Sequence, residues 1–280
     1  MSFLPIPLYA LALLCFIIYE RNLIHEDAAT RKLAEDASRT GVLLLFIGAL
    51  AELGDLLAGA ARGEMPFSDA RSALAGLSLG WVVIGVAFIV RMRVFLLGLI
   101  VSPLALLASL VVAGAPTRAH ELKAESMIEG LGILAHAVLG YAGYSSFFAA
   151  ALGAGLFLLQ DRELRLKRMG ALFDHLPPLD RSAEIMRVGV KSGLYCILTG
   201  LLFAMLFLRG AVPPAKLLAD TNIRVLVALC LYAGVILILG ARWGWTRHRV
   251  VIMSFLLGIL VMAIHSFFIL GETFHTFARS

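Results

Sequence analysis

The stretch that decides the fold runs from His136 to Arg168, HAVLGYAGYSSFFAAALGAGLFLLQDRELRLKR. It opens on a histidine, runs for about seven helical turns without a charged side chain, and closes in a basic run. An apolar helix of that length crosses a bilayer, and a basic end marks the cytoplasmic side. The rest of the chain repeats this pattern.

The 280 residues are 60% hydrophobic and 15% charged, with a mean hydropathy of +0.91. A soluble domain carries about 45–50% apolar and about 25% charged residues. Repeated apolar runs therefore predict an all-α, polytopic transmembrane helical bundle. The runs lack the alternation of a membrane barrel. We expect eight spans, near 3–20, 41–60, 74–91, 94–114, 127–159, 193–209, 223–241 and 250–274. With the N-terminus outside, the inner segments are 20–40, 91–93, 160–192 and 242–249, and these hold 16 of the 24 Lys and Arg. The positive-inside rule then places both termini on the outer (periplasmic or extracellular) side. The first run, FLPIPLYALALLCFIIYE, lacks a basic leader and a small-residue cleavage site, so it is expected as a retained helix. Two regions are expected, 1–126 and 127–280, each with four spans.

The net charge of +5 orients the chain in the membrane and does not point to nucleic acid. Cys15, Cys196 and Cys230 each fall inside an apolar run. They form no disulfide framework, zinc motif or CxxCH attachment site. The sequence contains no recognisable catalytic constellation.

Polar residues inside the spans are the functional candidates. Glu52 and Asp55, in LAELGDLLAG, lie close to the outer end of span two. There snorkelling or water is expected to satisfy them. Segment 20–40 mixes both charge signs and reads as a solvated connector containing His25. Pro103 is expected to kink span four. His120 and His175 read as loop residues, and His248 as part of the basic run RWGWTRHR. Within LPPLDRSAEIMRVGVKSG, Asp180 or Ser182 is expected to cap a short helix lying on the inner surface up to about Val190. Asp220 is expected to cap span seven.

On the deciding stretch, Gly140, Gly143 and Tyr144 share the face of His136, with Phe147 one turn further. Two glycines below a histidine leave a shallow groove that would accept a flat macrocycle. The alternative is close helix packing through small residues. The last span holds His265 near mid-membrane and His275 near the outer end. Their ten-residue spacing puts them on different faces. His265 has Glu272 two turns on, a hydrogen-bonding or proton-handling pair. His275 has Gly271 one turn below it.

From His136 onward the chain resembles the cytochrome c assembly protein family of haem-handling membrane proteins. HAVLGYAGY is similar to the family's histidine-led helix. LPPLDRSAEIMRVGVKSGLYCILTG is similar to the surface helix and following span of its HemX-like branch. Asp220 followed by Trp245-Thr246-Arg247 resembles the acid and later W-x-x-R-type turn. LGETFHTF resembles the closing histidine motif and selects His275 over His265. The resemblance implies two axial ligands to a non-covalent haem b, His136 and His275, walled by Gly140, Gly143, Tyr144 and Gly271. It also implies a bacterial cytoplasmic (inner) membrane and a partner from cytochrome c maturation or haem biosynthesis. RGAVPPAKLLAD lacks the family's tryptophan-rich haem-presenting loop, which favours an accessory role over a synthase. Two further readings stand beside it: a cofactor-free structural or regulatory subunit, and a proton-coupled transporter using Glu52, Asp55, His265 and Glu272.

Overall fold

The structure, a computed structural model, describes residues 3–22, 27–61, 70–114, 127–167, 176–207 and 221–270. Among these residues there are eight helices and no strand: α1 (Pro5–Asn22), α2 (Ala28–Ala61), α3 (Ala70–Met92), α4 (Leu96–Gly114), α5 (Met127–Arg165), α6 (Leu179–Phe207), α7 (Thr221–Trp243) and α8 (His248–Leu270). All but α1 are long and apolar enough to cross a membrane. His25, His120, His175, Asp220, Gly271, Glu272 and His275 lie outside the described residues.

The chain divides into two compact units. One comprises Met1–Glu121 with Leu159–Pro178, the other Leu122–Leu158 with Leu179–Ser280.

In the first unit α1 packs against α2 and α4, and α3 packs against α2 and α4. Tyr9, Ala12 and Phe16 recur every three or four residues on α1 and are fully buried. Glycines on the neighbouring helices make room for the rings. A Cβ at Gly48 would meet the Tyr9 ring at 2.4 Å, and one at Gly98 would meet the Phe16 ring at 2.3 Å. Helix α2 starts earlier than its apolar run. Asp27 caps it, its carboxylate accepting the backbone N–H of Thr30 at 2.9 Å. The expected connector is thus continuous with span two. At about 51 Å, α2 is far longer than the roughly 30 Å hydrocarbon core, and its polar first turns extend past it. Helix α4 runs through Pro103 without interruption. The turn before it places Arg93 in the left-handed region (φ 54°).

In the second unit α5 and α6 approach until backbone touches backbone. A Cβ at Gly189 would lie 2.7 Å from Ala150 N and Ser146 O, and one at Gly153 would lie 2.8 Å from Met186 N and Ser182 O. Small residues at a membrane helix interface allow this approach. The surface helix expected up to Val190 is corrected: α6 is one helix of 29 residues from Leu179 to Phe207. Its contact stripe explains the continuity. Met186, Gly189, Gly193, Ile197 and Gly200 recur every three or four residues, and the glycines serve contact instead of ending the helix. Arg181, Arg187 and Lys191 point outward, and Glu184 holds Arg187 at 2.7 Å. Helix α7 ends at Gly244 (φ 91°), whose N–H donates to Gly240 O at 3.0 Å. The chain then folds Trp245 back over Gly240, where a Cβ would meet the indole at 2.6 Å. Trp245 is therefore half-buried against the core, whereas Trp243 is exposed.

Candidate functional site

Helix α5 presents two polar faces within the second unit. His136 lies on the first. Its Nδ1–H donates to the Gly200 carbonyl of α6 at 2.8 Å. A carbonyl only accepts, so the ring proton sits on Nδ1 and the lone pair on Nε2. One turn on, a Cβ at Gly140 would meet nothing within 4 Å. Two turns on the picture changes. The notch at Gly143 is filled by Ile197, 2.6 Å from where a Cβ would stand. The groove expected below His136 therefore has space at Gly140 and is closed at Gly143. Phe147, further along, packs against Gly193 of α6.

Tyr144 belongs to the second face. Its ring lies 4.7 Å from that of His265 on α8, and Tyr141 meets the same imidazole edge-on at 5.6 Å. His265 is 2% exposed. The structure thus joins Tyr144 to His265, a pairing that helix spacing alone does not reveal because the residues are on different helices. Gly258, on the same helix as His265, sets the approach: a Cβ there would lie 2.6 Å from Phe147 O.

A second polar site lies within the first unit. Glu52 on α2 is 6% exposed. Its Oε1 accepts from Ser109 of α4 at 2.8 Å and from Ser78 of α3 at 3.1 Å. Glu52 does not snorkel, because hydroxyls of two other helices hold it inside the bundle. Asp55, half-buried, lines a cleft together with Glu52, Ser109, Pro5 and Ile6. The sequence signal for these partners was two serines in each of two greasy helices, and serines there often bond only to their own helix. Ser254, which donates to Val250 O at 2.9 Å, is such a case.

These observations define an all-helical, multi-pass membrane protein whose apolar outer faces meet lipid. No family model, curated protein or solved structure matches the chain.

Proposed function

We propose that this chain is an accessory membrane protein that binds haem b through His136 and His275, in cytochrome c biogenesis or haem biosynthesis. The observation that supports it is the bond from His136 Nδ1–H to Gly200 O at 2.8 Å. Metal-bound histidines usually donate their second ring N–H to a carbonyl or carboxylate, which fixes ring and tautomer. Here that bond directs the Nε2 lone pair, the one that binds haem iron. The open space at Gly140 suits a flat ring edge beside the imidazole. The assignment of His275, Gly271 and the partner class comes from the resemblance. Haem would bring its own redox chemistry. The chain would orient the imidazole and limit access through Ile197 and the packed wall around Gly143. The same reading includes eight spans, both termini outside, and a bacterial cytoplasmic membrane.

The test is an absorption spectrum of the detergent-purified protein, oxidised and reduced, with and without added hemin. We expect a sharp Soret band and resolved reduced bands, lost or shifted in His136→Ala and in His275→Ala. A flat spectrum after hemin addition rejects the reading.

Two observations favour a second reading, a cofactor-free subunit: Ile197 fills the Gly143 notch, and His136 ties α5 to α6. It predicts that His136→Ala lowers stability modestly, by about 0.6 kcal/mol for one interhelical hydrogen bond, and leaves the spectrum unchanged.

A further inference from the structure

A buried carboxylate inside a membrane bundle is costly unless something neutralises it. Glu52 is buried at the end of the first unit where α1 and α3 begin and α2 and α4 end. Among the described residues it forms no ion pair. Helix α4 has no charged residue, and the charged residues of α3 are Arg71 and Arg91, neither of them paired with Glu52. Asp55, one turn away, adds negative charge. From α1 the facing group is the Tyr9 phenol, fully buried beside the carboxyl.

Glu52 Oε2 and the Tyr9 hydroxyl complete no hydrogen bond of ordinary geometry, although the phenol and the carboxyl lie within interaction range of each other. Both are more than nine-tenths buried as residues. Glu52 borders the cleft that Ser109, Asp55, Pro5, Ile6 and Val112 also line. The cleft offers about 20 Å³, room for one water-sized occupant and far too little for an organic solute. Ser78 and Ser109 donate to Oε1, and each hydroxyl oxygen still carries lone pairs. Side-chain oxygens of Glu52, Asp55 and Ser109 thus border one small space, while Ser78 and the Tyr9 phenol meet the same carboxyl from α3 and α1.

We propose that this cleft binds a single small monovalent cation, a proton or sodium, at the Glu52 carboxylate, with Ser109 lining the same space and the hydroxyls of Tyr9 and Ser78 beside the carboxyl. Asp55 stands at the cleft as the second acid and raises the local cation concentration. The site lies in the first unit and does not depend on haem.

Infrared difference spectroscopy of the full chain in lipid films tests it. The film is perfused alternately with acidic and alkaline buffer, then at constant pH with sodium and choline salts. A carboxyl signal that disappears in Glu52→Gln and persists in Asp55→Asn is expected. A signal in the pH arm alone identifies a proton, and one in the sodium arm identifies sodium. Superimposable spectra of the wild type and Glu52→Gln in both arms overturn the site. Ser109→Ala keeps the carboxyl and removes one donor to its ionised form. Its Glu52 carboxyl band is expected to shift in frequency, because one hydrogen bond to it is gone. An unshifted band overturns the role of Ser109 even if Glu52→Gln fails to fold.

Discussion

Gly48 and Gly54 sit two turns apart on α2, and the same substitution has opposite consequences at the two. A Cβ at Gly48 runs into the fully buried Tyr9 ring, whereas one at Gly54 meets nothing. Gly48→Ala must displace the ring and with it the phenol beside Glu52. We expect a loss of about 1–3 kcal/mol, the usual cost of overpacking. Gly54→Ala only removes backbone freedom and is expected to be neutral or to gain up to about 1 kcal/mol. Unfolding of both variants in mixed detergent micelles, followed by circular dichroism, measures the contrast, and equal effects would contradict this packing. Single residues also show the limit of reading the sequence. Glu52 stands out in any apolar run, because an acid there has a solvation cost. Its partners do not, because Ser78 and Ser109 are 26 and 57 positions away and only the bundle brings them together. His136 was legible as a polar residue with a task, but the carbonyl that sets its tautomer is 64 positions on.

At the scale of the element, helix type and rough position follow from apolar run length, and helix ends follow less well. Asp27 extends α2 backward through a polar stretch whose hydropathy gives no sign of a membrane helix. Helix α6 fuses two expected pieces. The amphipathic stretch before Val190 and the apolar stretch after Gly193 use one contact stripe against α5. Hydropathy changes along this helix while the stripe does not, so a composition-based boundary falls where no structural boundary exists. A distance measurement tests the continuity. Spin labels at Arg181 and Leu202, both exposed, are separated by 21 residues. One straight helix places their Cα atoms about 32 Å apart. A surface helix turning at a right angle near Gly193 gives roughly 22–23 Å by the same rise per residue. We expect the longer distance by pulsed electron resonance in lipid nanodiscs. Gly189→Val, which forces a side chain against the backbone of α5, is expected to broaden the unfolding transition or to lower stability by about 1–3 kcal/mol or more.

For the whole molecule the open matter is α1, and it sets the side of every loop. The helix has 18 residues and so reaches about 27 Å, slightly under a hydrocarbon core of roughly 30 Å. Its last residues, Glu20, Arg21 and Asn22, are polar and shorten its apolar run further. Packing argues that it crosses nonetheless. Tyr9, Ala12 and Phe16 face α2 and α4, while Leu11, Leu14, Ile17 and Ile18 form an exposed apolar opposite face. An outward apolar face on a helix wedged against two spanning helices is stable in lipid and not in water. The charged end matches an interface, where Arg21 can snorkel. We therefore expect eight crossings, and an even number returns the chain to the side on which it started. Alkaline phosphatase, active only outside, and green fluorescent protein, fluorescent only inside, are fused in turn to each end of the chain. Phosphatase activity at both ends is the expected result. Opposite reporters at the two ends would leave α1 lying at the surface, and the inner assignment of 20–40 would have to rest on its Lys and Arg alone.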